Sequence, residues 1–431
     1  MTARTSEAHQ ERVPAPAAGG AVEAGHPRPR RGAHFAEGAG SRHSFDTIAR
    51  PTHDERYRQA FVSQLRKFVM VDLAAAMREA YDSRVEPALR RTLQRPPQDG
   101  REVRKAMLEE PVFQAWSALR YAAQELTWWS VQPQIERHHE DLIAAARRLA
   151  EARSAGGTLR LDPDLPMPRE LTELDIHLMP GSFHSEFVED DVAQGAVYTL
   201  GTAVFGGGLK LRTRGGGVAA SVARWLRLRD PGFVPQRLVD LGCSTGNNLL
   251  PYMRVFPRAE AHGVDVSAPL LRYAHARAES LGLRVHYSQQ DAGNLDFPDA
   301  SVDLVVSSFF LHEQSTRATA KILREIHRIL RPGGVMVHME LPPATATDPY
   351  YSFYLDWDAY YNNEPHYAAF RALDLREAVA KAGFAKTKYF ATRIPNWGTV
   401  SPEEFREVAL GRRPAPPHGN GASWFIFGAR K

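Results

Sequence analysis

From residue 237 onward, short runs bounded by turn residues alternate with stretches whose apolar positions recur every three or four residues. The runs at 237–243, 261–266, 284–290, 302–310 and 335–340 predict strands, and 247–256, 269–281 and 316–330 predict amphipathic helices between them. Such alternation predicts an α/β fold: a doubly wound, mostly parallel sheet with crossover helices. Arg331-Pro-Gly-Gly334 stops the last of these helices. A helix over 373–382 and strands over 385–390 and 423–429 follow a long insertion, giving seven strands in all.

Before residue 237 the pattern is helical. Phe61, Leu65, Phe68, Leu73 and Met77 recur at helical spacing within 54–82, and 101–129 and 135–153 behave alike. This predicts an all-helical N-terminal domain over 46–195, a substrate lid or dimerisation element, and a connecting helical segment over 196–236. The Pro- and Gly-rich stretch 156–181 and the glycines at 206–208 and 215–217 break the pattern. Residues 1–45 carry almost no large apolar side chains and cannot offset the entropy of ordering, so a disordered tail is expected there.

Composition narrows the partners. A chain of 431 residues with 43% hydrophobic residues has material for more than one domain. Its 54 basic and 50 acidic residues lack the concentrated positive field of a nucleic-acid binder, so no nucleic acid is expected. The lone cysteine, Cys243, excludes an intramolecular disulfide and fits a reducing cytoplasm. No apolar run reaches the roughly 18–20 residues of a membrane helix, and no membrane partner is expected. His138, His139, His177 and His184 with Glu186, Asp190 and Asp191 match no metal-ligand spacing, so no metal is expected.

The chemistry lies in 238–247, where an apolar run enters a glycine-punctuated turn, Gly242-Cys-Ser-Thr-Gly246. Asp265 closes the next strand, where a carboxylate can accept both ribose hydroxyls of a nucleotide-like cofactor. With these residues the chain resembles the class I S-adenosylmethionine-dependent methyltransferases, strongly over 237–341 and more loosely over 373–431. The resemblance implies a seven-stranded Rossmann-like core with S-adenosyl-L-methionine as cofactor. It assigns Asp240, Gly242, Ser244 and Gly246 to the loop, Asp265 to the ribose, Val266 to adenine packing, and Asp291 with Ala292 to the adenine amine. Ser307 belongs to the same cleft, and Ser244 stands where glycine is commoner.

Other readings compete. A nicotinamide site needs a third glycine in register, and Asn247-Asn248 occupy that place. Gly242-x-Ser244-x-Gly246 also satisfies the nucleophile elbow of α/β hydrolases, with Asp303 and His366 or His418 as triad candidates. A catalytically silent cofactor-binding subunit is a third reading, because methyl transfer requires few side chains.

His312, at the carboxyl end of the 302–310 strand, is the candidate base, with Glu313 orienting it or capping the next helix. Ser307-Ser-Phe-Phe310 stands where amino-methylating nucleic-acid enzymes carry Asn/Asp-Pro-Pro-Tyr/Phe. The aromatic-rich insertion 344–372, which includes Tyr350, Phe353, Trp357, Glu364 and His366, suits a lid over a small organic acceptor. Within the family the resemblance is closest to small-molecule C- or O-methylating members, and a homodimer is among the assemblies a helical addition allows.

Overall fold

The computed structural model describes residues 44–207, 217–419 and 421–431. Eight strands form one sheet: β1 (Thr158–Arg160), β2 (Arg237–Leu241), β3 (Glu260–Asp265), β4 (Val285–Gln289), β5 (Val302–Ser308), β6 (Leu330–Glu340), β7 (Tyr389–Pro395) and β8 (Ser423–Arg430). Their order is β1-β4-β3-β2-β5-β6-β8-β7. All neighbours run parallel except β8, which lies antiparallel between β6 and β7. The strand order reverses between β2 and β5, and ligands of open α/β sheets bind at the carboxyl edge of such a crevice.

Strand periodicity builds the two layers that flank the sheet. Leu238 and Val306 enter one core with the helices Gly217–Arg229, Leu249–Val255 and Ala268–Ser280. Val239, Leu241 and Val305 enter the other, with Thr316–Ile329 and Leu375–Lys381. Ser267 and Ser315 cap two of these helices by accepting from Leu270 N and Ala318 N. Near Arg331-Pro-Gly-Gly334 the β5–β6 register shifts, and Gly333 takes a φ of +82°.

The sheet has one strand more than the sequence predicts, and the N-terminal region is not all helical. The stretch 156–181, expected only as a break, supplies β1, which pairs with His286–Ser288 of β4. Three residues at a sheet edge carry almost no hydrophobic pattern; backbone pairing and the Thr158 Oγ1···His286 Nδ1 contact of 2.9 Å hold them. β7 begins at Tyr389, later than the strand expected over 385–390.

Helical segments succeed one another from 53 to 93, including π-helical stretches at Phe68–Leu73 and Tyr81–Val85. The core beneath them is shared with the sheet layer: Phe45, Val62, Trp128, Ile135 and Leu142 pack with Tyr273 and Ala276 of Ala268–Ser280. The expected tail therefore ends earlier than residue 45. Phe45 is buried, edge-on to Tyr273 with ring centroids 4.9 Å apart, because Asp46 accepts hydrogen bonds from Tyr273 Oη and Arg277 Nε. Residues 1–43 of that tail, and most of the glycine zone at 206–217, lie outside the described residues. The connecting segment contains the helices Ala193–Gly207 and Gly217–Arg229.

The insertion forms the helices Pro349–Tyr360 and Tyr367–Arg371. Its aromatic residues mostly pack against the N-terminal helices: Tyr350 and Phe353 are buried with Val69, Met77, Phe113 and Trp116. Much of the aromatic density that the sequence suggests as a substrate lid is thus taken up by packing against the N-terminal helices. Buried Arg371 ties the insertion to the end of β6, donating to the carbonyls of Pro342 and Ser352 and pairing with Asp356.

Candidate functional site

The glycine turn follows β2 at the point where strand order reverses. Gly242 (φ +64°) and Gly246 (φ +74°) are left-handed, and neither position has room for a side chain. A Cβ on Gly242 would lie 2.3 Å from the Phe310 ring, and one on Gly246 would lie 2.3 Å from Tyr287 Oη. Ser244 adopts φ +50° although it is not glycine, a conformation costing about 1–3 kcal/mol that its surroundings must enforce. Asp265, ending β3, supplies that constraint. Its Oδ2 accepts from Ser244 N at 2.8 Å and its Oδ1 from Ser267 N at 3.0 Å, joining the loop to the next helix.

Asp240 is 1% exposed, and its Oδ2 has no hydrogen-bond partner. Burial, with the charge of Asp265 added, holds its carboxyl well above the usual range. Burial likewise raises Asp265, against the pull of its backbone donors. Ser244 Oγ and Ser308 Oγ are also buried without partners. Ser307, by contrast, turns to the other face of β5 and bonds His338 Nδ1 at 2.8 Å. Asp291 lies at the surface, accepting from Gly293 N and pairing with Lys321 Nζ, each at 2.8 Å. Ala292 is buried beside it, and the Val266 carbonyl accepts from Gln289 Nε2 at 2.9 Å.

A second cluster begins two residues beyond β5. Glu340, fully buried at the end of β6, accepts from Phe310 N (2.9 Å) and Leu311 N (2.6 Å) through Oε1 and contacts His312 Nδ1 (2.6 Å) through Oε2. The opposite ring nitrogen, His312 Nε2, stands 3.4 Å from Glu313 Oε1 and 3.8 Å from Glu364 Oε2. His177 completes the group, with Nε2 3.2 Å from Glu313 and Nδ1 3.1 Å from Glu364. His177 and Leu178 are both left-handed, at φ +59° and +55°. Gln124 Nε2 and Trp128 Nε1 fix the first of them by donating to the His177 carbonyl at 2.9 and 2.7 Å.

Charges in this cluster lean on one another. Burial disfavours the imidazolium of His177, but Glu313 and Glu364 outweigh it and push its pKa up to about 10. The same contest, settled by Glu340 and Glu313, carries His312 well above its ordinary range. Burial opposes the charge of Glu313, yet the two histidines hold its carboxyl well below the usual carboxylate range. Tyr198 links this cluster to the glycine loop: burial pushes its phenol up to about 12, with the charges of Glu313 and Asp265 both acting on it.

The hydrolase constellation is not assembled. Ser244 Oγ has no hydrogen-bond partner, and Asp303 sits at the opposite edge of the sheet, accepting from Gln236 N and Arg237 N at 2.8 Å. His366 contacts Glu170, and His418 contacts Tyr351. The histidine group also separates, with His139 against Asp191 at 2.8 Å while His177 faces Glu313 and Glu364. Sequence reasoning missed Ser308, Tyr198 and Glu340 as site residues. The alternation of β5 was the available signal for Ser308, once the strand's phase was known.

Residues 238–334 match the family model described as a methyltransferase domain. The demethylmenaquinone methyltransferase of Thermus thermophilus is 38% identical over 109 residues, covering 25% of this chain and 49% of that protein. The ubiquinone/menaquinone biosynthesis C-methyltransferase of Vibrio campbellii is 30% identical over 175 residues, covering 36% and 66%. This chain spans about half the length of the first curated relatives it matches. A solved structure of phosphoethanolamine N-methyltransferase 2 from Haemonchus contortus aligns with a TM-score of 0.34 at 20% identity, covering 50% of this chain and 53% of that one.

Proposed function

Because this chain belongs to the class I S-adenosylmethionine-dependent methyltransferases through residues 238–334, we propose that it transfers a methyl group from S-adenosyl-L-methionine to carbon or oxygen of a small organic acceptor. The observation that carries the reading is Asp240 beside Asp265: two raised carboxylates, one with an unpartnered buried oxygen, at the switch point of the sheet. A cationic ligand with a vicinal diol relieves both conditions. When bound, the cofactor supplies an electrophilic methyl group on a sulfonium.

The chain's own residues then have the task of positioning. Gly242, Ser244 and Gly246 let the backbone approach the ligand, Asp240 faces its positive charge, and Asp265 holds the ribose while pinning the loop. Val266, Asp291 and Ala292 border the adenine. Ser308, with the free hydroxyl, takes the role expected of Ser307. His312 is a positioning residue rather than a base, since both its nitrogens face carboxylates and its ordinary pKa is raised. Glu313 faces its outer nitrogen and helps orient the ring.

The reading includes a cytoplasmic protein with no nucleic-acid or membrane partner. Near-balanced charge supports the first exclusion, and no described helix is long and apolar enough to cross a membrane. Tyr57, Phe61 and Phe68, which are 64%, 62% and 45% exposed, support a homodimer through the helical segments at 53–93.

Two results are expected of the cofactor loop. Cofactor affinity should rise with pH through the raised range of Asp240, because the cation favours the carboxylate and binding releases a proton. Calorimetric titration in buffers of different ionisation enthalpy measures that proton, and affinity falling with pH contradicts the assignment. Ser244→Gly removes the left-handed strain and should leave cofactor affinity within about threefold of the parent, since the contact to Asp265 uses the backbone N–H. Equilibrium dialysis checks this.

The activity itself is tested by incubating the full chain with methyl-labelled S-adenosylmethionine and panels of hydroxylated and quinone-type small molecules. Label in an organic-extractable product supports the proposal. Saturable cofactor binding with no transfer to any panel favours the silent subunit instead.

A further inference from the structure

We propose that His177, Glu313 and Glu364, joined by His312 Nε2, form a binding site for one divalent first-row transition-metal ion at the acceptor end of the cofactor cleft. The ligand atoms of His177, Glu313 and Glu364 all lie within 4.8 Å of one another. Contacts of 3.1–3.8 Å among the four residues bracket the roughly 3.4 Å edge of a tetrahedron with bonds near 2.1 Å. Nitrogen and carboxylate donors without thiolate suit zinc, iron(II), manganese or cobalt.

Three independent features favour an ion over a self-contained network of ion pairs. Glu364 has a side chain only 4% exposed, yet its Oε2 makes no hydrogen bond and faces His312 Nε2 at 3.8 Å; Glu313 Oε1, 3.2 and 3.4 Å from the two histidine nitrogens, makes no hydrogen bond either. Glu340 contacts His312 Nδ1 at 2.6 Å and takes two backbone donors, fixing the ring so that Nε2 points into the cluster. A carboxylate behind a ligating histidine is the usual second layer of a metal site. Finally, His177 is held in the left-handed region by Gln124 and Trp128, so its ring is aimed by the scaffold and not by the carboxylates alone.

The site also has a use, which rests on the methyl-transfer reading. Phe310, two residues before His312, packs on Gly242, and Tyr198 lies within the fields of both Glu313 and Asp265. An ion here would bind the hydroxyl oxygen of an acceptor beside the sulfonium and lower that hydroxyl's pKa. The proton leaves to solvent. An oxygen lone pair forms the new O–CH3 bond, and the electrons of the broken C–S bond return to sulfur as a neutral thioether. The acceptor class is therefore a hydroxylated small molecule.

The test uses the full untagged chain, stripped with chelator and titrated with Zn2+, Mn2+, Fe2+ and Co2+, with cobalt followed by its visible absorption. About one ion per chain is expected, with affinity lowered at least tenfold in Glu364→Gln and in Glu340→Gln, whose side chain only supports a ligand. Circular dichroism confirms that each variant is folded. Uptake of none of these ions by a folded wild type, or uptake unchanged in both variants, overturns the site. Titrating S-adenosylmethionine on the same sample separates the two ideas: ion uptake without cofactor binding sustains the site and removes the methyl-transfer reading, while cofactor binding without ion uptake does the reverse.

Discussion

Asp265→Ala is expected to weaken S-adenosylmethionine binding by about 100-fold or more while leaving the fold intact. The carboxylate has two tasks. It accepts from Ser244 N and Ser267 N at 2.8 and 3.0 Å, and in the proposed complex it also accepts from the ribose. Hydrogen bonds to a charged group contribute about 1.5–3 kcal/mol each, and 1.4 kcal/mol is a factor of ten. Losing the ribose contact and releasing a strained Ser244 therefore reaches two orders of magnitude. Stability should fall much less, because removing a raised, buried carboxylate also removes its desolvation cost. Equilibrium dialysis with labelled cofactor measures the first effect and thermal melting the second. Unchanged affinity would detach Asp265 from the cofactor.

Glu340→Leu should be the most damaging single change at the site, destabilising the chain by about 3–5 kcal/mol. Glu340 is 0% exposed and receives Phe310 N, Leu311 N and His312 Nδ1 together. Leucine fills similar volume but leaves two backbone donors and a histidine without an acceptor, in a region water does not reach. Glu340→Gln keeps a carbonyl oxygen for the backbone donors and should recover more than half of that loss. Urea unfolding of the two variants decides it. A loss below about 1 kcal/mol in the leucine variant would mean that the turn 309–313 is held by other contacts.

The sheet was legible in the sequence because each buried parallel strand is a short run flanked by turns. Leu238, Val239 and Leu241 all lie in cores, one on one face and two on the other, so alternation alone could not have marked them. The edge strand Thr158–Arg160 escaped because it buries little and is defined by its pairing to β4. The glycine loop and Asp265 were legible as a spacing, since the crossover helix fixes how far apart two parallel strand ends lie in sequence. The polar cluster was not. His177, Glu313, Glu340 and Glu364 come from a turn between β1 and β2, the turn after β5, the end of β6 and an insertion, and no period connects them. Ser307 and Ser308 show the same limit at one-residue scale: the composition of the strand end was readable, but its pleat phase, which turns Ser307 to His338, depends on which face meets which helix. The packing of the aromatic insertion was hard to read for a related reason, because Tyr350 and Phe353 suit a substrate pocket and a helix interface equally well.

Calorimetric titration of the wild-type chain with S-adenosylmethionine and S-adenosylhomocysteine tests the central claim most directly. Saturable binding of both at about one equivalent per chain is the predicted result, with protons released on binding of the cationic ligand. No heat with either, alongside saturable binding of a nicotinamide dinucleotide, would contradict it, because the glycine loop and Asp265 would then belong to another cofactor.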